Sequence, residues 1–167
     1  MIGRLIKYTV MFVVLVLAQV LVLNQVQLGG YINPYIYVLF ILLLPVSTPR
    51  YLLLILGFLI GLAVDIFANS LGIHAAATVF IAFVRPYIIR SISNREEDRN
   101  DYPGLHQNKF TWFLSYAFLM VFFHHFFLFF LEYFTFSHFF STFLKIILSS
   151  VFTVFIIVLS QFIIFRE

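Results

Sequence analysis

Apolar residues run along this chain in blocks of up to about twenty, and short polar clusters punctuate them. Tyr8–Leu23 is the first block, preceded by Arg4 and Lys7. Asn24–Pro34 follows as a polar turn region that contains glycine and no charge. Tyr35–Val46 is a second, shorter run, and it stops at Pro45 and the breaker cluster Ser47-Thr48-Pro49-Arg50. Tyr51–Phe67 and Ile73 to about Ile92 are separated by only about five residues, which predicts a tight helical hairpin near one face of a membrane. Ser93–Lys109 is the one strongly hydrophilic stretch, and runs from Phe110 to Leu131 and from about Phe139 to Phe165 close the pattern. A spanning helix needs about 20 apolar residues. The pattern therefore predicts six spans, at about 5–23, 34–47, 51–68, 72–92, 110–131 and 139–165.

Composition turns this pattern into a class. Of the 167 residues, 63% are hydrophobic and only 10% charged, with a mean hydropathy of +1.06. Soluble domains have roughly 45–50% apolar and about 25% charged residues. So much apolar surface does not fit into one small core, and lipid has to act as solvent. The expected fold is all-α, a single polytopic membrane domain over residues 1–167. Arg4 and Lys7 ahead of an apolar run resemble the start of a signal peptide, but Asn24-Gln25-Val26-Gln27 follows instead of a small-x-small cleavage pattern. The run is read as an uncleaved first helix. The absence of cysteine removes disulfides, lipid-anchored cysteine, thiolate metal sites and a cysteine nucleophile together.

Charge adds orientation. The net charge of +3 would suit nucleic acid on a soluble protein, but here the basic residues mark topology. With six spans, Arg4, Lys7, Arg50, Arg85, Arg90, Arg95, Arg99, Lys109 and Arg166 fall on one side, nine of the ten Lys and Arg, with Lys145 the exception. By the positive-inside rule that side is cytoplasmic. It holds both termini and the 93–109 loop, and Asp65 lies near the outer face.

The candidate chemistry concentrates in the hairpin. Gly57, Gly61 and Asp65 recur every four residues and share one helix face. A G-x-x-x-G face lets a second backbone approach closely in lipid, and Gly72, Ala75, Ala76, Ala77 and Ala82 offer a matching row of small residues. An ionised carboxylate in mid-span costs about 2.5–3.5 kcal/mol on insertion scales and less near a span end. Two roles stand open for Asp65. It can cap free amides at the start of the next helix, a task open also to the Asn69-Ser70 pair, with His74 as partner, or it can meet a partner or ligand.

His124, His125 and Glu132 lie on the fifth run. Helical zinc proteases place two histidines four residues apart with a glutamate beside the first, and this spacing is absent. No G-x-S-x-G elbow occurs either. The expectation is therefore a non-enzymatic chain without metal or cofactor. The 24 phenylalanines, dense in the last third, read as lipid-facing bulk rather than a stacking site for a flat cofactor, and Trp112 suits an interfacial belt.

The stretch Gly61-x-x-x-Asp65 followed by Leu71-Gly72-Ile73-His74-Ala75 resembles the rod shape-determining MreD family of bacterial membrane proteins, and the likeness in length, span pattern and basic N-terminus covers the whole chain. Where that family usually has proline between the aspartate and Leu-Gly, this chain has Ser70. The resemblance implies a multi-pass protein of the bacterial inner membrane and a role as scaffold or adaptor in cell elongation. It implies the bitopic MreC, the actin-like MreB and peptidoglycan synthases as partners, with no nucleic acid, and a fold similar to the substrate-capturing subunits of energy-coupling-factor transporters. Asp65, Gly57, Gly61, Gly72 and His74 are then the candidate site, either partner-binding or fixing the turn. The alternative is a small-molecule-binding membrane subunit of a transporter. Those subunits typically carry an A-x-x-x-A face on the first helix, where this chain has only Ala18.

Overall fold

In the computed structural model, which describes residues 2–26, 32–93, 101–133 and 139–164, the chain is 82% helical and contains no strand among these residues. Six α-helices follow one another: α1 (Ile2–Leu21), α2 (Leu39–Leu43), α3 (Arg50–Ala68), α4 (Ile73–Ile92), α5 (Phe110–Tyr133) and α6 (Phe139–Ile164). All but α2 are long and apolar enough to cross a bilayer. Their outward faces carry Leu5, Ile66, Phe140 and Ile163, each more than two-thirds exposed. In water that surface would be an aggregation liability, whereas in lipid it costs nothing, so this is a multi-pass membrane protein. Residues 94–100, the charged centre of the expected 93–109 loop, and residues 134–138 lie outside the described residues.

The second expected span takes a different form. Ile36–Val38 is a 3-10 turn that runs directly into α2. These eight residues rise only about 14 Å, far short of the roughly 30 Å hydrocarbon core. The segment still runs through most of the bundle's depth. At one end Pro34 O accepts from Gln19 Nε2 of α1 (3.0 Å), and the Tyr35 ring lies against His74 at the start of α4. At the other end the backbone N–H of Val46 donates to Asp101 O (2.8 Å). Tyr37, Val38, Ile41 and Leu42 are completely buried.

Non-helical backbone is tolerated at membrane depth only when protein surrounds it and satisfies its polar groups. Side chains of the long helices do this here. Gln19 Oε1 accepts the N–H of Ile36 (2.9 Å), Thr153 Oγ1 accepts the N–H of Tyr35 (3.2 Å) and Ser149 Oγ accepts the N–H of Asn33 (3.0 Å). Beyond α2, the guanidinium of Arg85 donates to Leu42 O (3.5 Å), Leu44 O and Pro45 O (3.4 Å). The Tyr116 hydroxyl also donates to Leu42 O (3.1 Å) and accepts from Arg85 Nε (2.8 Å).

Two bases therefore change role. Arg85 is not an interfacial charge marking the cytoplasmic face. It is 2% exposed and ties α4 to the carbonyl end of α2. Lys145, the exception to the charge count, is also buried. Its Nζ lies 4.9 Å from the centroid of the Phe129 ring, and with the Asn33 amide turned to the orientation its neighbours favour, it donates to that amide's oxygen (3.2 Å).

Candidate functional site

The α3–α4 hairpin is built around its glycines. A Cβ on Gly61 would strike Ala75 Cα and Thr78 Oγ1 and come within 2.6 Å of His74 O, and one on Gly57 would come within 3.1 Å of Ala82 Cβ and Thr78 O. Both glycines face α4, and their missing side chains bring the two backbones together. About two turns beyond Gly61 the chain reverses. Asn69 ends α3 in the left-handed region at φ 53°, and Gly72 precedes α4 at φ 83°, conformations that asparagine and glycine adopt most readily.

Asp65 closes this turn. Its Oδ1 accepts from Ser70 Oγ (2.5 Å), the backbone N–H of His74 (3.1 Å) and His74 Nδ1 (3.0 Å), and its Oδ2 accepts from the N–H of Ala75 (2.8 Å). The two amides are among the unpaired donors of the first turn of α4, so a carboxylate near the end of one helix caps the start of the next. The negative charge also meets the positive end of the α4 dipole. Ser70 supplies one of these bonds and lies 3.0 Å from His74 Nδ1.

Ser70, His74 and Asp65 adjoin, but not as a nucleophile relay. In a Ser-His-Asp triad the two partners occupy opposite nitrogens of the imidazole, whereas here both approach Nδ1. The serine hydroxyl is already donated to the carboxylate. The arrangement fixes the turn and does not activate an oxygen.

Behind the turn lies a buried cluster of rings. The Tyr35 ring centroid lies 5.4 Å from that of His74, 5.9 Å from His124 and 5.3 Å from His125. Tyr37 Oη and His124 Nε2 are hydrogen-bonded at 2.7 Å. His125 Nδ1 faces the carbonyl of Val121 (2.8 Å), which places its proton on Nδ1 and leaves Nε2 to accept from Thr153 Oγ1 (3.2 Å). His124 Nδ1 is buried and unpartnered. Glu132, seven residues beyond His125, is exposed near the end of α5 while both histidines are fully buried. Among the described residues no group of three His, Asp or Glu side chains could hold a metal ion.

The structure thus brings together Gly57, Gly61, Asp65, Gly72 and His74 in one hairpin with Ser70, and adds Tyr35, Tyr37 and Thr153, which sequence reasoning missed. A usable signal existed for Thr153: with Lys145 and Ser149 it recurs every four residues in a largely apolar run, and the three therefore share one face.

Asp65→Asn is expected to keep the chain folded but lower its stability by about 2 kcal/mol. The amide nitrogen cannot accept, and at least one charge-assisted bond of the four is lost. Reversible unfolding in detergent micelles, followed by near-ultraviolet circular dichroism, measures this. Asp65→Ala should fall further, and equal stability of all three proteins would refute the capping role.

No protein-family model matches the chain, and no curated protein or solved structure matches it either.

Proposed function

We propose that this protein is a non-enzymatic membrane adaptor of the MreD type, which joins a membrane-anchored MreC-like protein to the elongation machinery of a bacterial inner membrane. The observation that carries the reading is the clamped hairpin. The stretch that resembles the family, Gly61 through Ala75, is one structural unit. Gly61 lets the helices touch, Asp65 and His74 lock the turn, and the locked turn projects Leu71, which is 99% exposed, beside Ile66 and Phe67. A rigid apolar tip held by a buried carboxylate suits the docking of a partner's helix or juxtamembrane segment, because membrane helices associate through close packing and few polar contacts.

The excess of basic residues at the opposite end of the bundle supports a cytoplasmic position for that end. Lys7 on α1 and Gln161 on α6 line one cavity together with Gly104 of the α4–α5 connection, so both terminal helices reach that end. There an actin-like MreB and peptidoglycan synthases would be organised through the complex. Asp65 and Leu71 would face outward, toward the periplasmic part of an MreC-like partner.

A pull-down of the tagged protein from its native membrane in mild detergent tests this. The expected result is retention of an MreC-like protein, reduced on Leu71→Ser with an unchanged unfolding midpoint and reduced on Asp65→Asn together with stability. Recovery of a transmembrane coupler and ATPases, or of a stoichiometric small molecule held near His124 and Tyr37, would replace the adaptor reading with a transport subunit.

A further inference from the structure

The bundle has a second polar feature, far from the hairpin. A groove of about 420 Å³ opens along α1 near the end that carries Lys7, with walls formed by Met11, Val14, Leu39 and Leu43 and a floor that includes Gln161. This volume falls within the range of about 300–1,000 Å³ typical of ligand sites. Among the described residues, Lys7 is the only lysine or arginine lining it, and no carboxylate does. Gln161 is 1% exposed, and neither its Nε2 nor its Oε1 has a hydrogen-bond partner among the described residues. A buried primary amide with both ends unsatisfied is costly, and such a group calls for an explanation. Gly104 adds to the opening, since a Cβ there would lie 3.6 Å from Gln161 Oε1.

We propose that this groove holds one molecule of an anionic, hydroxyl-bearing glycerophospholipid of the phosphatidylglycerol class, with an acyl chain along α1 and its headgroup between Lys7 and Gln161. The chemistry of the site selects this occupant. From Lys7 to Leu15 the α1 wall is about 12 Å long, and Val10 and Val14 on it are each 55% exposed, so the groove is open toward the bilayer along its length. A chain can enter sideways from the lipid. Lys7 lies near the end of α1, at the depth where phosphates sit, and attracts negative charge. The amide of Gln161 needs both an acceptor for Nε2 and a donor for Oε1. A phosphate oxygen or ester carbonyl supplies the first, and a headgroup hydroxyl the second. A choline headgroup has no hydroxyl to donate, and its positive charge opposes Lys7.

The test is reconstitution of the full chain into nanodiscs with equal amounts of phosphatidylglycerol and phosphatidylcholine, followed by native mass spectrometry of the released protein. One phosphatidylglycerol per chain should be retained, favoured over phosphatidylcholine by roughly fivefold, the contribution of one lysine near an anionic surface. Lys7→Gln should erase the preference. Val14→Trp, at an exposed position, should fill the slot and remove the bound lipid without lowering the unfolding midpoint. Gln161→Leu should lose the lipid while leaving the lipid-free protein as stable or more so, because an orphaned amide disappears. Equal retention of both lipids, no retained lipid, or retention unaffected by all three variants would each overturn the proposal. These outcomes are independent of whether an MreC-like partner is captured.

Discussion

Arg85→Met is expected to remove about 3 kcal/mol of stability, because it takes away hydrogen bonds from a charged donor worth about 1.5–3 kcal/mol each and leaves a buried acceptor unsatisfied. The guanidinium bonds Tyr116 Oη and the carbonyls of Leu42, Leu44 and Pro45. Leu42 O keeps the Tyr116 hydroxyl and Pro45 O keeps Thr48 when it is removed, so Leu44 O bears the largest loss. Those carbonyls lie at and just beyond the C-terminal end of a very short helix, where backbone acceptors lack intrahelical partners and carry the negative end of the helix dipole. In a soluble protein water would take them over. Here they lie in the interior of a bundle within a membrane, where an unsatisfied acceptor costs about 1–3 kcal/mol. Arg85→Lys should recover only part of the loss, because a single ammonium cannot reproduce a planar fork of five donors. Tyr116→Phe, which removes one link and leaves the fork in place, should cost about 1 kcal/mol. Unfolding midpoints of the three variants in the same detergent provide the comparison. If Arg85→Met stays within about 0.5 kcal/mol of the wild type, the size of an ordinary surface substitution, then Arg85 does not support the broken segment.

The case of Arg85 shows which parts of the fold could be read in advance. The long helices were legible because their signals are local: apolar runs of sufficient length bounded by Pro49-Arg50, by Asn69-Ser70 and by the hydrophilic 93–109 stretch. Four of them end within about two residues of their expected limits, the usual uncertainty of helix ends. The geometry of Asp65 was legible for the same reason, since all its partners lie within ten residues. The second segment was not. Its run from Tyr35 to Val46 is apolar throughout, and what permits its short helix is remote in sequence: Gln19 from 17 residues away, Thr153 from 118 and Arg85 from about 40. Composition cannot reveal such long-range satisfaction. One clue to Arg85 was nevertheless available. In a helix that ends at Ile92, position 85 lies about 10 Å from that end, too deep for an ordinary interfacial arginine. The buried ring cluster was hidden in the same way, because Tyr35, His74 and His124 come from three separate segments and converge only when the bundle closes.

Gly61→Ala is expected to be the most damaging one-carbon change in the hairpin, with a loss of about 3 kcal/mol or more. Overpacking usually costs about 1–3 kcal/mol when side chains can move aside, but at Gly61 the obstacles include backbone. The added methyl would fall on Ala75 Cα and within 2.6 Å of His74 O, and neither can swing away without moving α4. Such a movement also strains the amides of His74 and Ala75, which Asp65 holds only one turn further on. The wedge and the clamp are thus coupled, and their losses should exceed a simple sum of separate effects. Gly57→Ala meets Ala82 Cβ and Thr78 O at 3.1 Å, a tighter fit than usual but one that a few tenths of an ångström relieve. It should cost less. Gly3→Ala meets nothing within 4 Å and should be neutral or slightly stabilising, because alanine favours helix. The same series separates architecture from docking. If the hairpin presents Leu71 to a partner, Gly61→Ala must weaken both stability and capture, while Leu71→Ser weakens capture alone. Equal stability of Gly61→Ala and Gly57→Ala would mean that the helices adjust freely at this crossing, and a freely adjusting hairpin could not hold Leu71 in a fixed position for a partner.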